Sequence, residues 1–232
     1  MFFSEADWLA IRLTAELATL TTLCLMAVGT PIAWWLAHTR SRWKPVWSAL
    51  IALPLVLPPT VLGFYLLLLM GPQGPLGWAT RALGTAPLPF SFQGLLLASV
   101  LYSLPFVVQP MQRSFEAVPT RLMEAAATLR AHAWDRFFTV AVPLAQPGII
   151  TAAVLGFAHT VGEFGVVLMI GGNLPGQTRV LSVALYDHVE STEFDDAHRL
   201  AAAMVVFAWA VLALLYRVER SQRDGGRRGI PV

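Results

Sequence analysis

The sequence predicts an all-α fold, a polytopic bundle of membrane-spanning helices, and three observations carry that expectation. Of the 232 residues, 56% are hydrophobic and only 13% are charged, whereas a soluble domain carries about a quarter charged residues. The apolar residues come in long unbroken blocks rather than one-sided stripes, which suits a bilayer as solvent. The basic residues fall in the gaps between blocks, weighted to alternate gaps. A net charge of +2 is too small to attract nucleic acid, and none is expected as a partner.

A helix needs about 20 residues to cross a hydrocarbon core of about 30 Å. Five blocks reach that length, at residues 13–37, 46–70, 90–111, 147–170 and 200–216. The remaining sequence leaves room for a sixth crossing without placing it. Residues 73–89 are broken by glycines and prolines. Residues 178–189 put Leu181, Ala184, Leu185 and Val189 on one helical face, with Asp187 and Glu190 off it. That pattern reads as a short helix lying at the membrane surface or over a pore. The chain begins Met1-Phe2-Phe3-Ser4-Glu5-Ala6-Asp7 without the basic stretch of a secretory leader, so the first block is read as a retained span. Cys24 lies inside that block and reads as a small buried hydrophobe. Trp8, Trp43, Trp47, Tyr102 and Tyr216 sit near span ends, where aromatic side chains anchor at the interface.

Orientation follows from the basic residues. An external N-terminus gathers Arg40, Arg42 and Lys44, then Arg113, Arg121, Arg130 and Arg136, then Arg217, Arg220, Arg223, Arg227 and Arg228 on the cytoplasmic side. Only Arg12, Arg81, Arg179 and Arg199 remain outside. The positive-inside rule therefore favours N-out and C-in, and places the segment 112–146 in the cytoplasm.

Two features interrupt the apolar interior. Glu163 is the one acid deep in a span, with His159 a helical turn before it and Gly162 and Gly165 on either side. A charge there costs about 2.5–3.5 kcal/mol on insertion scales, so it must face protein or a watery path. Two roles stay open: a residue of the pathway or its gate, or a carboxylate fixed by His159 or a neighbouring helix. In the second block, Pro54, Pro58 and Pro59 rule out a straight helix. Irregular backbone at membrane depth is tolerated where it is buried or lines a cavity, which makes Pro58, Pro59, Thr60 and Gly63 candidates for the path, with a purely structural kink as the alternative. Apart from these, the interior offers no evident fixed cation.

The segment 112–146 is an amphipathic helix pair. Pro119 stops the preceding helix, Thr120 is a candidate N-cap, and Glu124 suits the positive end of the new helix. Leu122, Ala125, Ala126 and Leu129 share a smooth face able to seat in a groove of another protein, and Pro143 is expected to end the second piece. Glu124-Ala125-Ala126-Ala127, with Leu129, Arg130 and then Val140, Val142 and Pro143, resembles the EAA cytoplasmic loop of binding-protein-dependent ABC importer permeases. One departure stands out: Arg130 occupies the position where that family carries a glycine.

Further segments are similar to the molybdate permeases of that family. They are residues 53–63, with Leu53-Pro54-Leu55-Val56-Leu57-Pro58-Pro59-Thr60, and residues 157–187. The latter carry Gly162-Glu163-Phe164-Gly165, then Asn173-Leu174-Pro175-Gly176 and Thr178-Arg179, a combination specific to the oxyanion branch. The resemblance covers most of the chain, and sulfate and thiosulfate permeases share a variant of it. It implies one transmembrane permease domain over 1–232, in a bacterial inner membrane. It also implies a second copy of the chain, two cytoplasmic ATP-binding subunits that receive the loop, and an external oxyanion-binding protein. ATP and magnesium would belong to the partner subunit.

The residues agree that this chain is not itself an ATPase. Its one lysine, Lys44, follows Trp43 rather than a glycine, so no phosphate-cradling loop exists. His38, His132, His159, His188 and His198 form no cluster at metal-ligand spacing, and no bound cofactor or metal is expected. Two further readings remain: an ion-coupled transporter relaying protons through Glu163 and His159, and a membrane anchor for another enzyme.

Overall fold

The computed structural model describes residues 3–227, and every regular element among them is helical. In chain order these are α1 (Glu5–His38), α2 (Lys44–Val56), α3 (Pro59–Met70), α4 (Pro75–Ala82), α5 (Phe92–Glu116), α6 (Thr120–Thr128), α7 (Ala133–Arg136), a π-helical turn (Phe137–Ala141), α8 (Val142–Gly162), α9 (Gly165–Gly171), α10 (Leu181–Glu190) and α11 (Phe194–Arg227). Four helical stretches are long and apolar enough to cross a membrane: Glu5–His38, Phe92–Glu116, Ala133–Gly162 and Phe194–Arg217. The bent pair formed by α2 and the stretch Pro59–Ala82 is apolar enough to count with them as one broken span or a re-entrant loop. The side chains of Arg220, Arg223 and Arg227, and all of Met1, Phe2 and Arg228, lie outside the described residues.

The core is a three-helix packing of α1, α5 and α8. Leu25, Ala33 and Leu36 meet Val107, Val108 and Met111, and Ala145 and Ala152 close the third side. Small residues permit the approach, as lipid-embedded helices require. A Cβ at Gly148 would lie 2.3 Å from Ser114 Cβ, and one at Gly156 2.7 Å from a Val107 methyl. α11 stands at the edge and exposes Val205, Val206 and Trp209, a lipid-facing surface. α1 starts at a capping box, in which the Ser4 hydroxyl accepts the Asp7 N–H at 3.1 Å and the Asp7 carboxylate accepts the Ser4 N–H at 3.0 Å.

Several expectations need correction. The second block is broken at Leu57 and Pro58, as the prolines predicted, and the chain bends there by 111°. The fourth span does not run over 147–170. It starts earlier and ends at Gly162, because Glu163 takes extended backbone (ψ 132) and the chain restarts as the separate helix α9. Pro143 does not end a helix. The preceding π-turn shifts hydrogen bonding to i→i+5, with the Val142 N–H on the Phe137 carbonyl, so the proline sits in the first turn of α8 where its missing N–H costs nothing. The cap of α6 is Pro119 rather than Thr120, which is already helical. α10 is the short helix expected around 178–189, but it is its first turn, Leu181 to Ala184, that is buried all round, while Val189 of the expected apolar face is exposed.

Candidate functional site

Two regions carry the residues singled out by the sequence. The first is the loop from α6 to the π-turn. α6 presents Leu122, Glu124, Ala125, Ala127 and Thr128 outward, while Met123 and Ala126 lean on the bundle. Beyond it Leu129 is 83% exposed and Trp134 73%. The chain turns sharply at Arg130, whose φ of 61° lies in the left-handed region. That conformation explains why a glycine suits the position, and an arginine holds it at a cost of about 1–2 kcal/mol. Phe137 fastens the loop to the core, packing edge-on to Trp34 at 4.9 Å. From Ala133 the helical path continues through the π-turn into α8, a stretch of 30 residues ending at Gly162. At 1.5 Å per residue that is a rod of about 45 Å.

The far end of that rod forms the second region. Here the two broken spans meet: a Cβ on Gly165 would lie 2.6 Å from Pro59 Cβ. Beside this crossing is a cleft of about 570 Å³ lined by Pro59, Thr60, Tyr102, His159, Glu163 and their neighbours. Pro59, Thr60 and Glu163 are thus brought together from segments a hundred residues apart. Pro58 and Gly63 are not in the lining. Pro58 caps α3, its carbonyl accepting the Val61 N–H at 2.9 Å. Gly63 makes room for α9, since a Cβ there would come within 2.8 Å of Met169 Cβ.

Glu163 is only 6% exposed. Its carboxylate accepts the Val166 N–H at 2.7 Å, capping α9, and its carbonyl accepts the Ser182 hydroxyl. His159 does not hold it. The imidazole Nδ1 pairs with the Ser103 hydroxyl at 2.9 Å, and the ring stacks on Phe106 at 3.8 Å. Of the two roles left open, fixation of the carboxylate is what the geometry displays, by its own chain's amides rather than by His159. Tyr102 also departs from expectation: it lines the cleft, its ring 5.0 Å from that of His159, rather than anchoring at an interface. A signal for it was present, because Tyr102 and Phe106 stand one helical turn apart on α5, but no neighbouring charge marked that face.

The segment Asn173 to Arg179 serves architecture. The Leu174 carbonyl accepts the N–H groups of Gln177, Thr178 and Arg179, and Thr178 Oγ1 donates to the Gly171 carbonyl at 2.6 Å. Asn173 donates to Asp187 at 3.0 Å, and Arg179 pairs with the same carboxylate. These bonds tie the end of α9 to α10.

One group of metal-capable side chains exists among the described residues: His188, Glu193 and Asp196, with ligand atoms within 4.8 Å of one another. Sequence spacing did not suggest it. Its members are already paired, with one another or with neighbouring side chains. His188 Nε2 meets Asp7 at 2.9 Å, Nδ1 meets Glu193 at 2.7 Å, and Asp196 pairs with Arg199. Burial opposes charging of His188, but the Asp7 and Glu193 carboxylates outweigh it and hold the imidazole above its ordinary pKa. The group reads as a tie between the start of α1, α10 and α11.

Comparison with known proteins bears on both regions. Residues 29–221 match the family described as binding-protein-dependent transport system inner membrane component. The chain is 64% identical to the molybdenum transport system permease protein ModB of Azotobacter vinelandii, over 95% of this chain and 97% of that one. It is 34% identical to the Escherichia coli K12 protein of the same name, over 98% and 100%. A probable sulfate transport system permease protein of Chlorella vulgaris is 32% identical over 89% and 77%. Among solved structures, a bacterial ABC transporter involved in alginate import aligns with a TM-score of 0.74 at 17% identity, covering 96% of this chain and 81% of that one. The MetNI methionine ABC transporter, in an inward-facing form, aligns at 0.69 and 18%, covering 94% and 99%. The fold is that of ABC importer permeases, and the chain belongs to the binding-protein-dependent transport system inner membrane components, multi-pass permease subunits in which ATP hydrolysis is the work of a partner.

Proposed function

We propose that this chain is the permease subunit of an ABC importer of molybdate, with tungstate as an equivalent tetrahedral dianion. It works as one permease domain, paired with a second copy, two cytoplasmic ATP-binding subunits and an external oxyanion-binding protein. The N-terminus is external and the C-terminus cytoplasmic. ATP and magnesium are held by the partner subunits. The observation that carries the substrate is the 64% identity to a molybdenum permease along almost the whole chain, against 32% to a sulfate permease.

The rod from Ala133 to Gly162 carries the coupling. Its outer end is the exposed loop, with Glu124, Ala125 and Leu129 free to seat in the ATP-binding subunit, and its inner end is the Glu163 cleft. Closure of the ATP-binding subunits on ATP pushes the loop, and the continuous helical stretch carries the displacement toward the cleft. The two broken spans then shift against each other where Gly165 meets Pro59, at one end of the packed contact between α3 and α9 that Leu66, Met70, Val166 and Ile170 make. Hydrolysis resets the arrangement.

The test is uptake of trace radiolabelled molybdate in cells lacking this chain, with and without it restored. Uptake that survives excess sulfate supports the assignment. Uptake erased by sulfate moves the chain to the sulfate branch. Uptake that ignores substitutions at Glu124 and Ala126 but collapses with the proton gradient overturns ATP coupling.

A further inference from the structure

Arg113, counted among the cytoplasmic basic residues, ends a continuous polar and aromatic face of α5. Tyr102, Phe106, Gln109 and Arg113 recur at helical spacing along one side of α5. Tyr102 lines the cleft at the helix breaks. Phe106, Gln109 and Arg113 line a second cleft of about 480 Å³ against Thr151 and Leu155 of α8. Gln109 and Arg113 also line a third, of about 390 Å³, against Ser48 of α2. His159, stacked on Phe106, joins the first to the second. The three clefts therefore follow one helix face from the helix breaks to the end of α5 that carries the loop.

Glu116 lines the third cleft beside Arg113 and feels its charge, but no hydrogen bond or ion pair joins the two. The nearby carboxylate of Glu116 is taken by Lys44 at 3.0 Å and by the Gln112 amide at 3.0 Å. Among the described residues Arg113 has no ion pair, and the Gln109 amide has no hydrogen bond. The Gln109 amide lies within the span, where it is costly against lipid, so this face borders water or a polar ligand there, and Arg113 stands exposed in the last turn of α5 at its loop end. The guanidinium fork matches two oxygens of a tetrahedral dianion, and the Gln109 NH₂ supplies a further donor one turn away.

We infer that Gln109 and Arg113 form an exit site for the translocated tetrahedral oxyanion, at the loop end of the α5 face. This rests on the permease function proposed above. The site is open and carries one cation per copy, so it draws the anion past the helix breaks and still lets it leave.

The experiment reconstitutes the permease with its ATP-binding subunit in vesicles, supplies molybdate-loaded binding protein, and measures labelled molybdate imported per ATP hydrolysed. Arg113→Gln is expected to lower that ratio about tenfold, the scale of one lost charge-assisted hydrogen bond, while stimulated hydrolysis stays within about twofold. Arg113→Lys, which keeps the charge without the fork, recovers to within about threefold of wild type. Gln109→Leu lowers the ratio about threefold. A normal ratio in Arg113→Gln overturns the site, as does a parallel fall of hydrolysis and import in both Arg113 variants, which marks a packing role. If Arg113→Gln does not assemble, a normal ratio in Gln109→Leu overturns it. Wild-type vesicles that import no molybdate overturn the parent function instead, and are distinguished by that control.

Discussion

The loop around α6 and the cleft at Pro59 and Gly165 stand at opposite ends of one helical rod, and they are built in opposite ways. The loop is contiguous in sequence, exposed, and held to the bundle mainly by Met123 and Phe137. Its outward residues make no demand on the fold, so their identity is free to serve a partner. The cleft is assembled from three separate segments. Its central acid, Glu163, is buried and spends its carboxylate on the α9 backbone. There the same side chain supports the fold and lines the cleft. Changes in the loop should therefore separate coupling from stability, and changes in the cleft should not.

The largest effect that would sharpen this contrast is at Glu163. Glu163→Leu leaves the buried Val166 N–H without an acceptor and is expected to destabilise the protein by up to about 3 kcal/mol, read as a lower thermal midpoint in detergent. Glu163→Gln keeps a carbonyl oxygen for that bond and should stay within about 1 kcal/mol of wild type. Uptake by Glu163→Gln should persist, and its complete loss with normal folding would favour proton relay over capping. Next comes Leu129→Asp. With its side chain 83% exposed, it should leave the thermal midpoint unchanged yet cut ATP-driven uptake about tenfold or more, as for a contact residue at an interface. A matching loss of stability would break the contrast.

Smaller is Arg130→Gly. Removing a side chain from φ 61° should stabilise the loop by about 1 kcal/mol, seen as slower proteolysis between α6 and α7 with uptake retained. An unchanged or faster cleavage would refute a strained turn. Smallest is a pH effect at the tie between α1, α10 and α11. Because folding raises the His188 pKa above its ordinary value of 6.5, the tie contributes fully below that value and is lost as pH rises through the folded one. Wild type should lose about 0.5–1 kcal/mol across that window, and His188→Gln should flatten the profile there.

Helical class, the long apolar helices and the loop were legible because each depends on local pattern: apolar length, basic gaps and a short contiguous motif. The break at Pro58 was legible for the same reason, since a proline acts on its own turn. The end of the fourth span at Gly162 was not, because the apolar pattern runs on through α9 and only the capping carboxylate of Glu163 shows that the chain has turned. Pro143 misled in the other sense: the π-turn that absorbs it has no residue signature. Tyr102 looked like an interfacial aromatic because nothing along the chain marks the partner His159, which comes from another helix.

By itself the sequence determined a membrane solvent, the long apolar helices, the exposed loop between α5 and α8, and the family, since these follow from composition and from contiguous residues. Tertiary structure alone decided that Glu163 caps a helix, that Gly63 is a packing contact while Thr60 borders the cleft, and that Gln109 and Arg113 share a face with Tyr102. The physical reason is that a cleft is defined by the distances between helices. Those distances are set by how α3, α5, α8 and α9 pack around small residues such as Gly148 and Gly165, and sequence spacing does not encode them.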